Sequence, residues 1–365
     1  IQQWTRVQFA GRGGDDPLVV KVLDGLSGQV VGGYEAVTAD SSNGIDISGI
    51  SGTSSGGING AVMLTGYVKG HAQGGPEVAR RSAQAALKDF WNDVSSHGPL
   101  FSPLTVDPRG LLKPQFNVDQ FPGYQWMNLL TRAFSPYEFN PLNLNPLKDA
   151  VNRHVDVGAL RHGSKVCDIQ LFVTATSVRT GQARIFTGDE LSIDALMASA
   201  CLPLAFQAVH IDGEDYWDGG YTGNPAFYPL IYNTAAEDIL LIKINPLQRD
   251  STPTRSIDII DRLGELTCNT SMIAELRAIA FVQRLLKEEK LERSRYRKDL
   301  KLHMVADDDG LAPYNPSSKS NSDAAFVQHL HDLGHAAADR WLQAHRQDVG
   351  VRSSLDIAQT FLGAL

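Results

Sequence analysis

The chain has little cysteine, no surplus of positive charge and no long hydrophobic run, and each shortage removes a class of function. Cysteine occurs three times in 365 residues, at Cys167, Cys201 and Cys268. These are far apart and form no CxxC pair, so they supply neither a disulfide framework nor a cysteine-rich zinc site. Three quiet thiols in a reducing compartment is the reading. The formal net charge is −8, with 33 basic against 41 acidic side chains. A dedicated nucleic-acid binder carries the opposite balance, so nucleic acid is not expected as a partner. No apolar stretch approaches the roughly 18 residues of a bilayer-spanning helix. The opening IQQWTRVQFAGRGG lacks the basic start and apolar core of a secretory leader. The expectation is a cytoplasmic protein whose contact with a membrane, where it makes one, is peripheral.

What remains is ordinary globular composition, 42% hydrophobic and 20% charged, at a length that suits one large domain or one with an appendage. Residues 5–9 read as a short strand followed by a glycine-rich turn, Gly11 to Gly14, and then a helix over Leu18 to Leu26. Residues 45–50 alternate like a strand, and a helix of small residues runs from Ile58. Residues 97–147 are dense in proline and aromatics, which predicts a long irregular excursion or a lid. Further strands are expected at 168–177, 183–187 and 238–245. A helix is expected at 192–201, and a hairpin over VHIDGEDYW turning at Asp212-Gly213. Residues 256–300 have a charged helical pattern closed by a basic run (Arg293, Arg295, Arg297, Lys298, Lys301). The tail from Asp323 reads as two amphipathic helices. Strands alternating with helices predict an α/β sandwich with a helical C-terminal extension.

Gly52-Thr53-Ser54-Ser55-Gly56 is a GxSxG pentapeptide between an expected strand and an expected helix. This is the setting of a nucleophile elbow, where glycines permit a sharp turn and the helix start aims free N–H groups at developing negative charge. A glycine-rich turn without chemistry fits the same letters. A serine nucleophile needs a base. None of the ten histidines lies in a convincing loop: His210 falls in a strand, and His329, His331 and His335 on a distant helix. Only His331 and His335 share a helical face, so no metal site is expected, and no cofactor is called for. The better partner is Asp218 in Tyr216-Trp217-Asp218-Gly219-Gly220, at the end of an expected strand, where the two glycines allow close approach of another backbone or a ligand. A plain turn aspartate is the alternative.

GISGTSSGGINGAV, MASACLPLAF and IDGEDYWDGGYTGNPA, taken in this order, resemble the patatin-like phospholipases. SPYEFNPLNLNPL, ELRAIAFVQRLL, SSKSNSDAAF and HDLGHAAADRWL extend the likeness to a bacterial branch, from about residue 44 onward. The resemblance implies a three-layer α/β/α hydrolase with a mainly parallel central sheet. The pattern of strands and helices divides the chain into an expected core over 1–255, including the excursion at 97–147, and an expected helical extension over 256–365 packed on it. The resemblance implies a Ser-Asp dyad of Ser54 and Asp218 without histidine. Gly52, Gly56, Gly219 and Gly220 support the two turns, and an oxyanion hole forms from the N–H groups of Gly13, Gly14 and Ser55. The stretch Gly11-Arg12-Gly13-Gly14-Asp15-Asp16-Pro17 departs from the family's glycine-rich loop: Arg12 and Asp16 fall where glycines are usual, and Pro17 has no N–H.

The implied activity is lipid acyl hydrolysis of the phospholipase A type through a serine acyl-enzyme, acting on a lipid or ester substrate. The altered loop motivates an alternative, a catalytically weak lipid-binding or scaffolding protein. A Ser-His-Asp hydrolase ranks third. The basic run at 293–301 is interleaved with Glu288, Glu289 and Glu292, so a solvated helix face is favoured there over a lipid contact. Lipid class, positional specificity and oligomeric state are not written in the sequence.

Overall fold

A computed structural model describes residues 4–10, 15–16, 43–44, 46–97, 116–119, 121–224, 226–244, 247–249, 251–294, 297–315, 317–318 and 321–363. Its centre is an eight-stranded sheet. The strands are β1 (Trp4–Ala10), β2 (Asp46–Thr53), β3 (Gln170–Ser177), β4 (Ala183–Thr187), β5 (Val209–Ile211), β6 (Glu214–Asp218), β7 (Asp238–Lys243) and β8 (Lys301–Ala306). Their order is β8-β7-β1-β2-β3-β6-β5, with β4 on β3.

The expected mainly parallel sheet is corrected here, because the sheet is mixed. Only β2–β3 and β7–β8 are parallel pairs. Strand β1 sits antiparallel between β2 and β7. Tight returns make β4 antiparallel to β3, and β5 antiparallel to β6. The continuous apolar run at 238–245 suits a strand of a parallel sheet, but a run shows only that both faces are covered, and this strand is parallel to β8 and antiparallel to β1. The β5–β6 hairpin turns at Asp212 and Gly213, with φ of 52° and 83°. Both values are those of a type I′ turn, whose twist matches the flanking strands.

Strand β7 is buried along its whole length. Leu240 and Ile242 belong to one core, with Ile58 and Val62 of α1 (Ser55–Gly74), Leu87 and Phe90 of α2 (Pro76–Ser96), and Trp341 of the C-terminal helix Ala324–His345. Ile239 and Leu241 belong to a second core with Met272 and Leu276 of the long helix Ser256–Lys287. Period-two alternation thus sends neighbouring residues of one strand to helix layers on opposite faces, which is the three-layer α/β arrangement.

The proline-rich excursion is less irregular than expected. Residues 98–115 and 120 lie outside the described residues. Beyond them α3 (Pro122–Ala133) forms, then a turn of helix at Pro136–Phe139, then α4 (Pro146–His154) and α5 (Val157–Cys167). Each of the first three begins with proline in its first turn, where the missing N–H costs nothing and the fixed φ suits a helix. Proline acts here as a helix start, not as a breaker. Helix α6 (Ile193–Ser199) follows β4, and α7 is the long helix Ser256–Lys287. The tail gives one long helix, α8 (Ala324–His345). In place of the second expected helix there is a single π-helical turn, Ala358–Leu362. The expected helix over Leu18 to Leu26 lies outside the described residues. No helix among the described residues is long and apolar enough to cross a membrane.

Candidate active site

Register along β3 decides which side chains meet. Gly49–Thr53 of β2 pairs in parallel with Gln170–Thr174, and the next residues of β3, Ala175–Ser177, pair antiparallel with Asp218–Tyr216 of β6. Strand β4 pairs with Phe172–Thr176, so it holds the other edge of β3. Strands β2 and β6 therefore share one edge, run toward each other and end where Thr174 gives way to Ala175. Ser54 follows Thr53 and Asp218 faces Ala175, so residues remote in sequence are neighbours by register alone.

The turn at Ser54 is strained. Its φ is 58° and ψ −126°, off every common basin for a residue with a Cβ, at a cost on the order of 1–3 kcal/mol. Helix α1 begins at once, and the Ile58 N–H already donates to the Ser54 carbonyl at 3.1 Å. The Ser55 N–H opens the helix, at its electropositive end. Gly52 and Gly56 meet here: a Cβ on Gly52 would lie 2.4 Å from the Gly56 carbonyl carbon. A Cβ on Gly219 would lie 2.0 Å from the Thr174 carbonyl oxygen. Gly52 and Gly219 are glycines because backbone passes against backbone there. Gly13 and Gly14 lie outside the described residues, as do Arg12 and Pro17.

Asp218 is 1% exposed and Ser54 3%. Burial pushes the Asp218 carboxyl up to about 6; the Gly220 N–H, 2.7 Å from Oδ1, and the Ser54 hydroxyl facing the carboxylate limit the rise. Oδ2 is buried and accepts no close hydrogen bond among the described residues. Beneath it, burial and the Asp218 charge push the Cys201 thiol up to about 12, so Cys201 stays neutral.

Sequence reasoning missed what surrounds this pair. The Ser54 N–H donates to Ser199 Oγ at 2.8 Å, and the Asp218 N–H to the Cys201 carbonyl at 2.8 Å. Thr53 Oγ1 donates to the Gly223 carbonyl and Thr176 Oγ1 to the Asp218 carbonyl. The ASAC segment was visible as part of the resemblance, but nothing in its letters pointed to these bonds.

The histidines have partners elsewhere. His210 pairs with Asp215, His331 with Asp332 and His335 with Asp339, and His329 bonds Tyr314. A Ser-His-Asp string does exist beside β7 and β8: His303 of β8 lies 2.9 Å from Ser354 Oγ, in the chain after the C-terminal helix, and 3.1 Å from Asp238 Oδ1 of β7. It is not built like a reactive site. Asp238 Oδ1 also accepts the Gly350 N–H at 2.7 Å, and the N–H groups of Ser354 and Leu355 are both taken by the Leu302 carbonyl. Among the described residues no group of three or more His, Cys, Asp or Glu is placed to hold a metal ion.

Residues 22–231, more than half of the chain, match the family described as Patatin-like phospholipase. The chain belongs to the patatin-like phospholipase family. No individual curated protein matches it. The matched stretch contains the elbow, the excursion, the ASAC segment and the β5–β6 hairpin with its Asp-Gly-Gly end. This patatin-like protein is thus a hydrolase of the phospholipase type, directed at lipid or ester substrates.

The basic run that closes 256–300 does not form the solvated helix face expected of it. Lys298 is buried and donates to the Thr234 and Ala236 carbonyls. Arg293 pairs with Asp299 and Lys301 with Glu237, and the chain here leads into β8. Arg295 lies outside the described residues.

Proposed function

We propose that this patatin-like protein hydrolyses carboxylic ester bonds of lipids, as a phospholipase A does, through an acyl-enzyme on Ser54 with Asp218 as its base. Ser54 Oγ attacks the ester carbonyl carbon while its proton passes to Asp218. The oxyanion meets the Ser55 N–H and, as the resemblance implies, those of Gly13 and Gly14. Collapse breaks the ester C–O bond, and the leaving alcohol takes the proton back from Asp218. Water then attacks the acyl-enzyme, gives a proton to Asp218, and releases the fatty acid as Ser54 recovers its own. The observation that carries this reading is a serine held at strained φ beside a buried carboxylate whose pKa of about 6 lies close enough to neutrality for general-base work.

A lipid must reach that pair from an interface. Leu204 is 63% exposed a few residues after Cys201, and Tyr137, Leu142 and Leu144 are exposed on the adjoining stretch. Gln207 and Ala208 tie the two stretches together through the Asn140 carbonyl and the Tyr137 hydroxyl. This apolar rim supports a peripheral membrane contact better than the internally paired basic run does. In this reading residues 1–255 carry the chemistry and 256–365 pack on them as an extension.

The test is product analysis on a panel of phospholipids, acylglycerols and short esters. Wild type releases free fatty acid, and Asp218→Asn does not. Vesicle binding with no release by either protein would favour the second reading, a lipid-binding protein, which the departures at Arg12, Asp16 and Pro17 motivate.

A further inference from the structure

We propose that Ser199 is a positioning residue for hydrolysis: by accepting the Ser54 N–H it holds the nucleophile in its strained turn. The inference rests on the Ser54–Asp218 reading. Ser199 is the last residue of α6 and is fully buried. Its Oγ lies 2.8 Å from the Ser54 nitrogen. With φ at 58°, the Ser54 N–H leaves the direction that a continuing strand would give it and points into the protein, where a donor needs an acceptor. Ser199 supplies that acceptor. Two residues on, the Cys201 carbonyl accepts the Asp218 N–H, also at 2.8 Å. One three-residue segment thus bonds the backbone of both residues of the proposed dyad. The end of α6 thereby adds a direct tie between the two to the one made by their strands.

Nothing in catalysis requires Ser199 to touch substrate. Its effect passes through the conformation of Ser54, so its loss should appear in kcat and leave KM alone. It should also appear in pH dependence. If Ser54 relaxes, its hydroxyl no longer favours the charged form of Asp218, and the acid limb of the rate profile moves to higher pH.

The experiment compares wild type, Ser199→Ala, Ser199→Thr, Ser54→Ala and Asp218→Asn in ester hydrolysis from pH 4 to 9, with thermal unfolding recorded for each. The expected result for Ser199→Ala is a kcat lower by roughly ten- to a hundred-fold, an unchanged KM, an acid limb shifted upward and recovery in Ser199→Thr, which keeps the oxygen. Unchanged kcat and limb in folded Ser199→Ala would overturn the proposal. So would a loss of kcat with an unmoved limb and no recovery in Ser199→Thr, which marks a packing role only. If Ser199→Ala does not fold, amide hydrogen exchange in wild type decides: the Ser54 amide should exchange with the slow core class, and exchange as fast as at Gly56 or Gly57 would refute it. Should Ser54→Ala or Asp218→Asn retain turnover, the dyad reading itself fails, whatever Ser199 does.

Discussion

Two places on this sheet bring a serine toward an aspartate, and they differ in what surrounds the polar groups. At the junction of β2 and β6, Ser54 is strained, a helix N-terminus opens beside it, and one carboxylate oxygen of Asp218 accepts no close hydrogen bond among the described residues. Across the sheet, at β7 and β8, His303 and Asp238 form a chain of hydrogen bonds with Ser354 from the tail, and the backbone N–H groups at Ser354 and Leu355 are already used. The second constellation has the more familiar residue types, yet its donors and acceptors face one another. The first has fewer residues and, among those described, leaves Asp218 Oδ2 without a close hydrogen bond. Reactivity follows from what is left to bond, and a satisfied network fixes structure instead.

The sharpest way to break this comparison is to remove each serine. Ser54→Ala is expected to lower fatty-acid release by roughly a thousand-fold or more, whereas Ser354→Ala stays within about twofold of wild type; an ester-hydrolysis assay reads both.

Backbone crowding gives the next contrast. Gly219→Ala drives a methyl group to 2.0 Å from the Thr174 carbonyl oxygen, so the end of β6 must move. A loss of about 3 kcal/mol or more in urea unfolding is expected, together with loss of activity. Gly350→Ala, beside Asp238, meets nothing within 4 Å and pays only for its φ of 77°, about 1 kcal/mol.

Titration separates the two places as well. With Asp218 as the proposed base, activity needs its carboxylate, so the rate should fall about tenfold per pH unit below about 6. Stability runs the other way. A carboxyl whose pKa is raised by folding binds its proton more tightly in the native state, so its destabilising effect is absent below the unfolded value, grows between about 4 and 6, and is complete above that. Asp218→Asn is therefore expected to be more stable than wild type at pH 8, by on the order of 2 kcal/mol, and no more stable at pH 3. Equal stability of the two proteins at pH 8 would contradict this. The smallest effect is expected from His303→Gln, which should cost about 1–2 kcal/mol of stability in urea unfolding and leave the acid limb of the rate profile where it was.

The parts of the site legible in the sequence are those that local geometry writes into residue type. Gly52 and Gly219 are forced, because a Cβ on either would fall within 2.5 Å of backbone atoms, and such constraints leave visible letters. Asp212-Gly213 is visible for the same reason, since a type I′ turn needs two positive φ values. Ser199 was not legible, because a serine ending a helix is unremarkable until the turn it supports is seen. The direction of β1 was not legible because pleating is the same either way. Strand β8 drew no assignment: KLHMVA follows a basic run, and burial of Lys298 depends on carbonyls contributed from 234 and 236. The proline excursion misled because proline's effect depends on position, and Pro122, Pro136 and Pro146 sit where helices begin.

The most direct test of the central claim uses a fluorophosphonate, whose phosphorus is attacked by an activated serine oxygen with loss of fluoride. Wild type, Ser54→Ala and Asp218→Asn are treated alike, and the modified peptide is identified by mass spectrometry. The prediction is one adduct, on Ser54, forming promptly in wild type, slowly in Asp218→Asn and not at all in Ser54→Ala. An adduct on Ser354, or labelling that survives in Ser54→Ala, would contradict it.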